Sequence, residues 1–129
     1  MLFSEAVTHG IRVQVKSHYS EEHSNPDENH WFFLYSITIH NESPETVKLL
    51  RRNWTITDSN GKSQIVRGQG VVGEQPTLEP GQSFNYTSAC PLKTEIGSMY
   101  GFYTLVTANG EEFQADIAPF TLSQATAIH

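Results

Sequence analysis

The chain has 129 residues, 37% of them hydrophobic and 17% charged, with a formal net charge of −6. That length makes one domain able to bury a core. The 11% aromatic content excludes a disordered chain, and no run approaches the roughly 20 apolar residues of a membrane helix. The excess of acids over bases argues against sequence-independent nucleic-acid binding. A single cysteine, Cys90, excludes an internal disulfide framework and fits a reducing compartment. The opening Met1-Leu2-Phe3-Ser4-Glu5 has neither the basic region nor the apolar core of a secretory signal. A cytoplasmic location with no membrane contact is the expectation.

The dominant period along the chain is two. Ile11, Val13 and Val15 alternate with Arg12, Gln14 and Lys16, which predicts a half-buried strand. An acidic, polar loop follows from Glu21 to His30. The aromatic and β-branched run Trp31–His40 predicts a long central strand. Val47–Leu50 and Trp54–Thr57 lead to Asn60-Gly61, a hairpin signal, and Gln64–Arg67 returns. Gln82–Ala89 alternates Phe84 and Tyr86 with polar residues. Tyr100–Thr107 leads to a second hairpin signal at Asn109-Gly110, and Glu112–Ile117 returns and ends at Pro119. Seven to eight short strands without a capped helical window predict an all-β sandwich of two antiparallel sheets. Trp54, Phe84, Tyr86 and Phe102 are expected to point inward.

Five of the eight basic residues, Lys48, Arg51, Arg52, Lys62 and Arg67, lie between positions 48 and 67, where Asp58 is the only acid. A local net charge of +4 inside a chain of −6 is either a solvated sheet face or an anion site. Gly68-Gln69-Gly70-Val71-Val72-Gly73 follows directly and spells GxGxxG. A dinucleotide site needs this motif to open a helix within a βαβ unit. Pro76 and the turn after it leave no helix, which excludes that reading. Two readings remain: glycines that bring backbone N–H groups onto an anion, or a bulge that needs glycine for its own geometry.

Catalytic constellations are weak. Cys90 shares parity with Phe84 and Tyr86 and is expected to be packed and unreactive. The histidines His18, His23 and His30, with Glu21, Glu22, Asp27 and Glu28, match no defined metal-ligand spacing; His9, His40 and His129 stand apart. No catalytic residue, metal or cofactor is assigned.

The run from Leu50 to Gly110 resembles the ApaG family. The resemblance is carried by Arg52-Asn53-Trp54, Ile56-Thr57-Asp58, Val66-Arg67-Gly68 through Gln75-Pro76, Leu78-Glu79-Pro80-Gly81, Phe84–Ser88, Cys90-Pro91-Leu92 and Gly97–Gly101. Tyr35–Ile39 and Pro119–Leu122 extend it to nearly the whole chain. Asn53 departs from the family's histidine before the tryptophan. The resemblance implies a fibronectin type III-like sandwich. It also implies links by name and gene neighbourhood to diadenosine tetraphosphate metabolism and to cobalt or magnesium tolerance. Related domains occur in an F-box protein and in a DNA-polymerase-interacting protein, which implies binding rather than catalysis, and the glycine motif has been discussed as a pyrophosphate loop.

The expected function is therefore a non-enzymatic module that binds pyrophosphate or a nucleotide polyphosphate through Arg52, Arg67, Gly68, Gly70 and Gly73. A two-residue turn at Asn60-Gly61 would pair Trp54 with Arg67 and bring Arg67 and Arg52 together on one face. The alternative is a protein-interaction domain with no small ligand.

Overall fold

The structure, a computed structural model, describes residues 2–124. Nine strands run in chain order: β1 (Leu2–Thr8), β2 (Ile11–Tyr19), β3 (Trp31–Asn41), β4 (Val47–Asp58), β5 (Ser63–Gln69), β6 (Thr77–Leu78), β7 (Ser83–Leu92), β8 (Ile96–Thr107) and β9 (Glu112–Ser123). They form two antiparallel sheets, ordered β1-β2-β3-β7 and β5-β4-β8-β9, with β6 on the β5 side of β4. One 3₁₀ turn, Pro26–Glu28, lies in the acidic loop. This is the expected fibronectin type III-like sandwich.

Alternation builds the core. Ile11, Val13 and Val15 from β2 and Phe33, Tyr35, Ile37 and Ile39 from β3 face Leu49 and Trp54 from β4, Tyr103 and Leu105 from β8, and Ile117 and Leu122 from β9. Each is buried because every second side chain of a strand points to the same side. Tyr35, Trp54 and Phe120 form an aromatic triangle, with Tyr35 edge-on to Trp54 at 5.5 Å between centroids and Trp54 edge-on to Phe120 at 5.9 Å, a favoured aromatic geometry. Among the described residues, no helix is long and apolar enough to cross a membrane.

Four expectations change. β1 is an additional strand, joined to β2 by His9-Gly10, both at positive φ (49° and 78°). His occupies the turn position where Asn is usual, so the turn signal is hidden. β4 is one strand carrying a bulge between Leu49 and Arg51 rather than two pieces. β9 runs through Pro119, because Ala118 and Pro119 together oppose the single residue Tyr100 at a register shift, where proline's missing N–H costs no ladder bond. Phe102 faces outward: it pairs with Asn53, while Gly101 pairs with Trp54 and Tyr103 takes the inner position. A side chain at Gly101 is excluded, since a Cβ there would lie 1.9 Å from the Asn53 carbonyl oxygen.

Both Asn-Gly hairpins form, each with a three-residue loop. Asp58 donates its N–H to the Lys62 carbonyl (3.0 Å), and Gly61 donates to Asp58 (3.1 Å). Thr107, Glu111 and Gly110 repeat this pattern in the second hairpin. Only the glycine of each pair has positive φ, 80° at Gly61 and 87° at Gly110, as a type I turn closed by a glycine bulge requires.

Candidate functional site

The extra loop residue shifts the β4–β5 register by one. Trp54 pairs with Val66, Asn53 with Arg67, and Arg52 with Gly68. A one-residue slip moves a side chain to the opposite face, so the expected pairing of Trp54 with Arg67 does not form and Arg67 points outward. Arg52 and Arg67 do not converge beside Trp54.

Arg52 shares Trp54's side of β4 and lies across Gly68. A Cβ at Gly68 would come within 2.6 Å of Arg52 Nη2. Its Nη1 donates to the carbonyls of Gln69 (3.0 Å) and Gly70 (2.8 Å). The guanidinium therefore clamps the start of the glycine loop.

The loop amides also turn inward. Gly70 donates to the Leu50 carbonyl (2.8 Å), Val71 to Glu74 (2.8 Å) and Glu74 to Val71 (2.9 Å). Val72 and Gly73 form the two-residue tip at φ 42° and 82°. Val71 is fully buried in the core, and the Gln75 side chain donates to Leu50 (2.9 Å). At Gly70, φ is 62°, and a Cβ would stand 2.2 Å from the Glu74 carbonyl oxygen. The motif's geometry is thus accounted for by a loop that seats Val71, the bulge-type alternative of the sequence reading.

The outward slip of Arg67 builds a different arrangement. Arg51, Asn53, Arg67, Gln69, Phe102 and Thr104 line a shallow depression of about 300 Å³ on the outer face of the β5-β4-β8-β9 sheet, with Arg52 and Gly68 also contributing. Arg51 donates to Glu112 at 2.7 Å across the sheet. Arg67 has no ion-pair or hydrogen-bond partner among the described residues. Two guanidinium groups, two amides, a hydroxyl and an aromatic ring make a surface suited to a phosphate or carboxylate.

Elsewhere, polar groups serve the fold. Cys90 is 4% exposed, and burial pushes its thiol up to about 11, so the thiolate that nucleophilic chemistry needs is suppressed at neutral pH. The Tyr86 and Tyr103 hydroxyls hydrogen-bond to each other between the sheets, and burial raises the pKa of both. On the outer face of the other sheet, Ser83 Oγ contacts His40 Nδ1 at 2.6 Å, His40 Nε2 contacts Gln14 Oε1 at 3.0 Å, and Gln14 Nε2 donates to Glu5 at 2.7 Å. This run of contacts has a serine–histidine order that sequence reading missed, because four strands supply it. His40 and Ser83 are direct cross-strand partners, and the geometry is that of polar pairs linking neighbouring strands. His23 and His30 pack against Phe32 at 5.3 and 6.0 Å, and among the described residues no three metal-ligating side chains cluster. His129 lies outside the described residues.

Comparison with known proteins gives a consistent answer. The sequence profile of the ApaG domain matches residues 21–107. A protein named Protein ApaG from Shewanella halifaxensis is 50% identical over 123 residues, covering 95% of this chain and 98% of its own. One of the same name from Brucella anthropi is 54% identical over 117 residues, covering 91% and 90%. A solved structure described as an ApaA protein of Bordetella pertussis superposes with a TM-score of 0.89 at 40% identity, covering 94% of this chain and 98% of that one. The C-terminal domain of Wzt, at 8% identity and a TM-score of 0.54, shares the fold alone. With the family profile spanning two thirds of its length and relatives matching nearly end to end, the chain belongs to the ApaG domain family.

Proposed function

We propose that this domain is a non-enzymatic binding module that holds a phosphate-bearing anion, pyrophosphate or the phosphate chain of a nucleotide, on the outer face of the β5-β4-β8-β9 sheet. The observation that carries this reading is Arg67, an outward guanidinium without a partner among the described residues, flanking a depression it shares with Arg51. In this arrangement Arg67 and Arg51 contact the anion, with Arg51 leaving Glu112 to do so. Arg52 clamps the loop from the inner side of the sheet, and Gly68, Gly70 and Gly73 shape it without touching the ligand. A volume of about 300 Å³ sits at the small end of ligand sites, which favours a compact polyphosphate over a large organic ligand.

Calorimetric titration of pyrophosphate and of a dinucleoside polyphosphate, at low and physiological salt, tests this. Wild type should bind saturably and more tightly at low salt. Arg67→Ala should weaken binding roughly tenfold or more, the worth of a charge-assisted hydrogen bond, and Arg51→Ala with Arg67→Ala should weaken it further. Arg52→Ala should lower stability and leave the affinity of the folded fraction near wild type. Absence of saturable wild-type binding at physiological salt, or an unchanged affinity in the folded arginine double variant, would overturn the reading.

A further inference from the structure

The two sheets have four edge strands between them, and three are guarded. β1 and β9 pack against each other, joined by Ser4 Oγ to the Ala118 carbonyl (2.9 Å) and by the Asp116 N–H to Thr8 Oγ1 (3.1 Å). β7 carries Pro91 within the strand. Packing, proline and bulges are the usual devices against edge-to-edge pairing. β5 has none of them. Its seven residues contain no proline, its register with β4 is unbroken from Ser63 to Gln69, and its only extensive neighbour is β4. Ile65, in the middle, is 58% exposed. A bare edge about 23 Å long, at roughly 3.3 Å per residue, is a template for another strand.

We propose that the free edge of β5 takes an extended acidic peptide, which adds to the sheet as a further strand. This goes beyond the phosphate reading, since it rests on the main chain of β5 and needs no phosphate. Charge selects the occupant. Lys62 precedes β5, Arg67 projects from it, and Lys62 and Lys93 both line a cleft of about 370 Å³ between the hairpin and the end of β7. Asp58, the nearby acid, already accepts the amides of Asn60 (2.8 Å) and Lys62 (3.0 Å) on Oδ1. The edge is therefore basic in a chain whose net charge is −6, so a second copy is repelled overall and would also bring two Arg67 side chains onto one face. Acidic residues of the peptide meet Lys62, Lys93 and Arg67. Its alternate apolar residues cover Val66 and Ile56, which are half-buried on the inner side.

The test is an mRNA-displayed library of random ten-residue peptides selected against the full chain at physiological salt. Enrichment of sequences alternating Asp or Glu with apolar residues is expected. The strongest peptide should slow hydrogen exchange at alternate amides of β5. Methylating every second backbone nitrogen of that peptide should weaken binding roughly tenfold or more, through loss of main-chain hydrogen bonds. Lys62→Glu with Lys93→Glu should weaken the peptide to a similar degree while leaving any pyrophosphate titration unchanged, so the two proposals fail separately. No enrichment, enrichment of basic peptides, protection away from β5, insensitivity to N-methylation, or a dimer through β5 in solution would each overturn the proposal.

Discussion

The sandwich has two unlike flanks. Along one, β9 packs against β1 and β2, Ser17 Oγ donates to the Thr121 carbonyl (2.9 Å), and inner residues such as Ile117 and Leu122 are at most 1% exposed. Along the other, the inward residues Ile56 of β4, Val66 of β5, and Phe84 and Tyr86 of β7 are only half-buried. The closed flank holds much of the core. The open flank holds the arginines, the glycine loop and the bare edge. Separating the two leaves one side enclosed and the other exposed, the general relation between a rigid scaffold and its more accessible surface.

Three measurements would break or sharpen this contrast. The largest difference is expected from isoleucine truncation on the two flanks. Ile117→Ala should cost about 2–5 kcal/mol, as buried large-to-small changes do, whereas Ile65→Ala should stay within about 0.5 kcal/mol. Similar urea midpoints for the two variants would mean that the open flank is load-sharing after all. Phe84→Ala should fall between them, because its ring is half-buried rather than enclosed.

Next is the loop that anchors the open flank. Gly70→Val combines positive φ with a Cβ 2.2 Å from the Glu74 oxygen, and should cost at least about 2 kcal/mol. Arg52→Ala, which releases two loop carbonyls, should cost about 1 kcal/mol. Gly73→Asn should cost only a few tenths, because nothing lies within 4 Å of the added Cβ and Asn tolerates the left-handed region. If Gly70→Val folds with wild-type stability, the loop has no structural role.

The smallest effect concerns pH. Cys90 and Tyr86 lie on β7, beside the open seam, yet burial raises both pKa values. An acid raised in the folded state leaves its stabilisation intact below the unfolded pKa, and loses it as pH climbs through the folded one. For Cys90 the window runs from an unfolded value of about 8.5 to about 11 in the fold. Urea midpoints should decline across it, and Cys90→Ala should flatten part of the decline while leaving the tyrosine share. An unchanged slope in Cys90→Ala would mean that water reaches the thiol, so that the open flank is wet to the level of Cys90.

Much of this protein was legible before folding, and the exceptions have physical causes. Two-residue periodicity located the strands at Ile11–Lys16 and Trp31–His40, and the Asn-Gly pairs located both hairpins, because these signals depend on neighbours a few residues apart. The parity of Phe84 and Cys90 placed them inward for the same reason. Depth of burial was not available, since it depends on which strand lies opposite. Phe84 is only half-buried while Cys90 on the same face is enclosed. What only the tertiary structure decided was the register and the sidedness that follows from it. Asn60-Gly61 is compatible with a two- or a three-residue loop, and the choice falls to the pairing that buries Trp54 against Val66 and leaves room over Gly68 for Arg52. That single step turned Arg67 from the tryptophan's side to the outer face, and it committed Arg52 to the loop carbonyls. The amino-acid order determined a sandwich with a basic hairpin and a glycine loop. Which arginine clamps the loop and which faces solvent was decided across the sheet, where one residue of register reverses the direction of every side chain.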